Sequence, residues 1–224
     1  MTENFNIDQK IFDFVYHEAL NDATLQGAYY GNKEEIEEII EAKECIKEYV
    51  DKIVRGDKYD FDAVVDKVEV ALQKSGIITR QGSNDDPKSV FSFGNIQKLI
   101  NMTVKYIYIG CYSNKRLRGR FKDCHCPMDN YMLKIVWKEY DKLEVKNEDL
   151  LLTLNDGSKK SRSISGVCWS QIGFDSTGDK KSKKIYDNFQ RMINELCKAK
   201  SKELSRKVSP VEYDYFMWPK KSDI

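Results

Sequence analysis

From Asn32 to Gly56 the apolar residues Ile36, Ile39, Ile40, Ile46, Tyr49, Val50, Ile53 and Val54 return every three or four positions. That is the period of an α-helix and not the alternation of a strand. Most of what lies between them is charged, with eight acids against three lysines from Lys33 to Asp51, net −5. Asn32, with Glu35 three residues on, has the chemistry of a helix cap, and Gly56 that of a stop. A helix of this kind is marginal alone and must lay its apolar stripe on other elements. The rest of the chain therefore decides the fold, and it repeats the same period.

Ile7, Ile11, Phe14, Val15 and Ala19 predict a helix that fades near Gly27. Asp60 is placed to cap another, with Phe61, Val64, Val65, Val68 and Leu72 inward and Gly76 at its end. A fourth runs from about Phe93 to Tyr108. Pro127 suits the first turn of a fifth, whose inward face uses Met128, Tyr131, Met132, Ile135, Val136 and Tyr140. Ile185, Phe189, Met192, Ile193 and Leu196 define a sixth, from about Lys181 to Lys202. Ser209-Pro210-Val211-Glu212 is a capping box that opens a short aromatic helix, Tyr213 to Trp218, stopped by Pro219. Residues 79–88 are turn-forming. The run from Leu150 to Leu154 reads as one strand or a buried turn, and residues 155–179 as a flexible or functional loop anchored by Val167, Cys168, Trp169 and Ile172. The expectation is a mainly α fold: a single domain over 1–224, a helical bundle of six or seven helices with at most a minor β element. A chain of 224 residues with 41% apolar content suffices for such a core.

With 37 basic and 36 acidic residues the formal charge is +1, so whole-molecule steering toward nucleic acid or an anionic membrane is not implied. Local charge differs: Ser158 to Lys207 carries thirteen basic and five acidic residues, net +8. No apolar run follows the N-terminus and none spans a bilayer, so the expectation is a cytoplasmic protein with no membrane partner. Six cysteines in such a chain read as reduced thiols.

The chemistry concentrates between Phe91 and Asp129. On a helical wheel Ile96, Ile100, Thr103 and Ile107 share one side of the fourth helix, and Gln97, Asn101, Lys105 and Tyr108 the other. The second side is either plain surface or the wall of a site, since two amides and an ammonium in a row can bind a carboxylate or phosphate. Residues 113–122 then hold five cations and no acid: Lys115, Arg116, Arg118, Arg120 and Lys122. Cys124, His125 and Cys126 have metal-ligating side chains, but a C-x-C pair without a second hook is not a structural zinc pattern. No metal and no cofactor are expected. Asp129 falls four residues after His125, in the first turn of the expected fifth helix, where a carboxylate meets the positive end of the helix dipole. If that pair faces Gln97, Asn101 and Lys105, it completes a polar pocket for a small anion or nucleotide. His17, among apolar neighbours, reads as structural.

The run Phe93-Gly94-x-x-Gln97-Lys98-x-x-Asn101-Met102-x-x-Lys105-Tyr106, with Cys124-His125-x-Pro127-x-Asp129 and Pro210-Val211-Glu212-Tyr213, resembles a family of uncharacterised bacterial proteins. The resemblance implies a bacterial cytoplasmic single domain, draws attention to Gln97, Asn101, Lys105, His125 and Asp129 as a set, and brings no activity. Arg120-x4-His125 is similar to the R-x4-6-H motif of HEPN ribonucleases, helical proteins that cleave RNA without metal. In that chemistry an imidazole serves as acid or base at the ribose 2′-OH while an arginine holds the phosphate. Two departures stand out: Phe121 replaces the usual polar residue after the arginine, and Pro127 puts His125 ahead of a helix instead of inside one.

Two functions follow as expectations. One is an RNA- or nucleotide-directed helical enzyme, a toxin or phage-defence effector, with His125, Arg120 and Asp129 catalytic and Gln97, Asn101, Lys105, Lys115, Arg116 and Arg118 holding phosphate. The other is a non-catalytic module that docks a protein partner through the acidic helix 33–51 or the cationic loop 113–122. A homodimer is compatible with either.

Overall fold

The computed structural model describes residues 6–25, 27–83, 85–144, 150, 167–176 and 181–217. Among the described residues there are nine α-helices and no strand: α1 (Gln9–Thr24), α2 (Lys33–Glu37), α3 (Ile40–Arg55), α4 (Phe61–Lys74), α5 (Phe93–Gly110), α6 (Lys115–Arg118), α7 (Asn130–Asp141), α8 (Lys183–Glu203) and α9 (Pro210–Met217). Seven of them have eight residues or more. The mainly α expectation holds, and Leu151 to Leu154 and residues 155–166 lie outside the described residues.

The local signals place most helix ends. Asp8, Asn32, Asp60 and Ser182 each accept backbone N–H bonds as N-caps, while Gly56 at φ 80° ends α3. Two boundaries depart from expectation. The single helix expected from Asn32 to Gly56 is broken at Ile39, an extended residue. On one continuous helix Ile36 falls about a quarter-turn from the centre of the α3 stripe. The break rotates α2 so that Ile36 and Ile39 are both buried, and leaves Ile40 70% exposed. His17 then bonds Glu37 at 2.8 Å and ties α1 to α2, a structural role. The second departure is at α7, which begins three residues after Pro127, for reasons that lie in the site below.

α5 is the axis of the fold. Every residue from Phe93 to Lys105 is buried, because α1, α4, α9 and the 169–171 turn pack around it. Ile96, Leu99 and Ile100 are fully buried, each contributing about 1.5–3 kcal/mol of apolar burial. Ser92 and Asn95 form a reciprocal capping box at its start, and Asn95 also donates to Ala23 O at 2.8 Å, which fixes α1 against it. On the other side α7 packs on α8, and α8 on α9, so the buried apolar residues form one cluster from Phe12 to Met217. No helix among the described residues is long and apolar enough to cross a membrane.

Candidate functional site

A helix buried all round must place its polar side chains against protein groups, since each unsatisfied one costs about 1–3 kcal/mol. Gln97, Asn101 and Lys105 are 0%, 1% and 0% exposed, so the expected surface or pocket wall is instead an internal polar spine. Gln97 Nε2 donates to Gly94 O and Met128 O, both at 2.9 Å, and its Oε1 accepts the Met128 N–H at 3.2 Å. From α8, Gln190 does the same to the next residue but one. Its Oε1 accepts the Cys126 N–H at 3.1 Å and its Nε2 donates to Cys126 O at 2.7 Å. Two side-chain amides thus hold residues 126–128 as a strand-like segment between two helices. The clamp fixes the backbone through Met128, and α7 starts after it, at Asn130.

Asp129 is accordingly the N-cap of α7, accepting the Met132 N–H at 2.8 Å. This corrects the expected first-turn placement. His125 lies against Phe61, with ring centroids 4.4 Å apart, and its Nδ1 is 2.8 Å from the Tyr186 hydroxyl.

The backbone sets the polarity of this whole chain. Met128 N–H must meet an oxygen and Met128 C=O a nitrogen, which orients the Gln97 amide. Gln97 Oε1 also accepts from Asn101 Nδ2 at 3.2 Å, and the same Nδ2 donates to the Tyr186 oxygen at 2.9 Å. The Tyr186 proton is left for His125 Nδ1, which places the imidazole proton on Nε2. Burial lowers the His125 pKa to about 4, against upward pulls from Asp62 and Asp187 and with Lys183 adding to the decrease. The imidazole is therefore neutral at neutral pH, with its one lone pair turned inward.

This has a consequence for stability. In the unfolded chain the imidazole titrates near 6.5, so protonation favours unfolding. Stability is complete above about pH 6.5 and falls as pH drops toward about 4. The loss from this group is at most about 3 kcal/mol. Urea midpoints measured across that window should fall less for His125→Gln than for the wild-type chain; parallel curves would refute the assignment.

The remaining members of the spine are Lys105 and Asp214. Both are 1% exposed in their side chains and form an ion pair that joins α5 to α9. Lys105 is thus opposed by a carboxylate and does not face a cavity. Burial pushes the Cys124 thiol up to about 12 and Cys126 well above the usual thiol range. Both are neutral core side chains, with Cys124 3.6 Å from the Tyr59 hydroxyl.

The cationic segment is different. Asn114 caps α6 by accepting the Arg116 and Leu117 N–H groups, both at 3.1 Å. Leu117 and Phe121 are buried, and Phe121 packs edge-on against Tyr108 with centroids 5.6 Å apart. Ahead of Leu117, Lys115 and Arg116 are exposed, while between the two anchors Arg118 and Arg120 are half-buried. Arg120 lies against the C-terminal end of α3, its Nε 3.6 Å from where a Cβ on Gly56 would stand. Lys58, Arg120 and Lys122, with Asp57 and Asp123, line a cleft of about 510 Å³ beside it. Arg120 Nη1 is buried and has no hydrogen-bond partner among the described residues. His125 does not line this cleft.

A second cleft, of about 390 Å³, opens where α5 meets the 169–171 turn. Lys98 stands there 4.0 Å from Asp129 and 4.4 Å from the centre of the Trp169 ring. Lys98 follows Gln97 in the sequence, and the adjacent position on a helix points to a different neighbour. Tyr186 and Gln190 carried no signal at all, since each acts only on a segment distant in the chain. No protein-family model matches the chain, and no curated protein or solved structure is similar to it at a significant level.

Proposed function

We propose that this protein binds RNA through the cationic face of residues 115–122, with Arg120 gripping a backbone phosphate in the cleft beside α3. The observation that carries this reading is that Arg120 lines a cleft with Lys58 and Lys122, beside Asp57 and Asp123, while its buried Nη1 has no hydrogen-bond partner among the described residues. A phosphate in the cleft would meet the guanidinium at the groups that line it, and a guanidinium bound to an oxyanion is among the stronger hydrogen-bonding arrangements. Charge pairing separates the two candidate surfaces. On α2 and α3, Glu41, Glu48 and Asp51 each pair with a lysine, and Glu37 bonds the His17 ring. By contrast, Lys115, Arg116, Arg118 and Arg120 have no ion pair among the described residues. Part of the acidic face is thus matched within the fold, while these four cations of the 115–122 segment are not.

In this reading His125 is a positioning residue of the clamped loop. Its inward lone pair and low pKa argue against an acid–base role at neutral pH.

The test is anisotropy of a labelled single-stranded RNA of about twelve nucleotides, titrated at several salt concentrations. Arg120→Ala should weaken binding about tenfold and reduce the salt slope by about one phosphate contact. Unchanged affinity and slope in that variant would remove the reading.

A further inference from the structure

The cationic face continues into a row of aromatic rings. Arg118 lies over Tyr112, its guanidinium carbon 5.0 Å from the ring centre. Tyr112 packs on Tyr215 with centroids 4.9 Å apart and planes tilted by 41°, and Tyr215 on Phe216 at 6.0 Å. All three rings are partly exposed. The fully buried Tyr108 meets Tyr112 and Tyr215 edge-on from below, at 5.9 and 6.4 Å, so the two outer tyrosines rest on a fixed base. At the far end Arg206 lies over Phe216, but its charge is taken by Glu212 through contacts of 3.0 Å. Among the described residues the cation of the row without an ion pair is thus Arg118, at the end that joins the phosphate-binding face.

We infer that Tyr112 and Tyr215, with the Arg118 guanidinium, form a stacking platform for the unpaired bases of a single strand whose phosphates lie on the 115–122 face. The inference rests on the RNA-binding reading above and narrows it to single strands. Cations that track phosphates combined with partly exposed rings that accept bases are the two components of sequence-tolerant single-strand binding. A duplex keeps its bases stacked inside and offers such rings nothing. The Arg118 guanidinium plane extends the stacking surface while adding charge.

The experiment compares two labelled strands of equal length and charge on the full chain, oligoadenylate and an abasic strand of the same backbone. The wild-type protein should bind oligoadenylate about tenfold more tightly or better, a gap that one to two stacked bases supply. Tyr112→Leu should close most of that gap while leaving the abasic affinity and the salt slope unchanged, and Tyr112→Phe, which keeps the ring, should retain it. Arg120→Ala should instead weaken both strands alike. Equal affinities for the two strands on the wild-type chain, with the salt slope intact, would overturn the platform and leave phosphate binding standing. Failure to bind either strand would overturn both. The two-strand comparison on the wild-type chain needs no variant, so a misfolded tyrosine mutant would not obscure the result.

Discussion

Lys105→Met is expected to destabilise the protein by about 3–5 kcal/mol, because it removes the ammonium that faces the Asp214 carboxylate in the core. That loss is a large share of the roughly 5–15 kcal/mol that holds a typical domain together. Asp214→Leu should cost a comparable amount by removing the carboxylate that faces the ammonium. The double replacement removes both charges and substitutes apolar side chains of similar length, so it should recover most of the loss and can match the wild type. Urea denaturation of the four proteins gives the cycle directly. Additive single effects in the double variant would show that the pair is not coupled, and would sink the view that it fastens α9 to α5.

Gly94→Ala is the second large effect, expected at about 3 kcal/mol of destabilisation, at the upper end of the usual cost of overpacking. A Cβ at this position would stand 1.7 Å from the Trp169 carbonyl oxygen and 3.2 Å from Ser170 Cα. Backbone, not a movable side-chain end, blocks it. The Gly94 N–H also donates to Ile172 O at 2.9 Å, so the helix start and the 169–172 turn are held face to face. The sign is informative, because in an open helix the same change gains about 1 kcal/mol from helix propensity. Urea midpoints that stayed level or rose would mean that α5 and the turn are not in backbone contact. If the turn is displaced instead, Lys98 loses the Trp169 ring, and tryptophan fluorescence should move with the loss of stability.

Both effects arise on α5, where reading the sequence succeeded and failed for physical reasons that can be named. Its helical period, and the core side through Ile96, Ile100 and Ile107, were legible. The row of Gln97, Asn101 and Lys105 was legible as a row, and its environment was not. A wheel sorts residues by angle alone, and a polar row on a helix buried all round looks the same as one on a surface helix. Lys98 illustrates the converse: its ammonium sits over Trp169 beside Asp129, which no spacing rule connects.

The cationic segment fared differently. Five cations without an acid marked residues 115–122 from composition alone. What the sequence could not supply was that Leu117 and Phe121 anchor the segment and turn its charges outward, or that Arg120 enters a cleft at the end of α3. The Tyr112–Tyr215 contact joins rings more than a hundred positions apart in the chain. It exists only because α9 docks on α5.

The sequence by itself determined where helices form and where most of them end, because periodicity, caps and stops depend on residues within about one turn of each other. It also marked the acid-free cationic stretch at residues 115–122. Only the tertiary structure decided what each polar group meets. Gln97 clamps a backbone 31 positions away, and Asn101 reaches a hydroxyl 85 positions away. Such pairings are set by how helices pack, and burial then makes them obligatory because an unmet polar group in the core is costly. The same burial that turned the expected pocket into a sealed spine left the open, unpaired charge on the loop beside it.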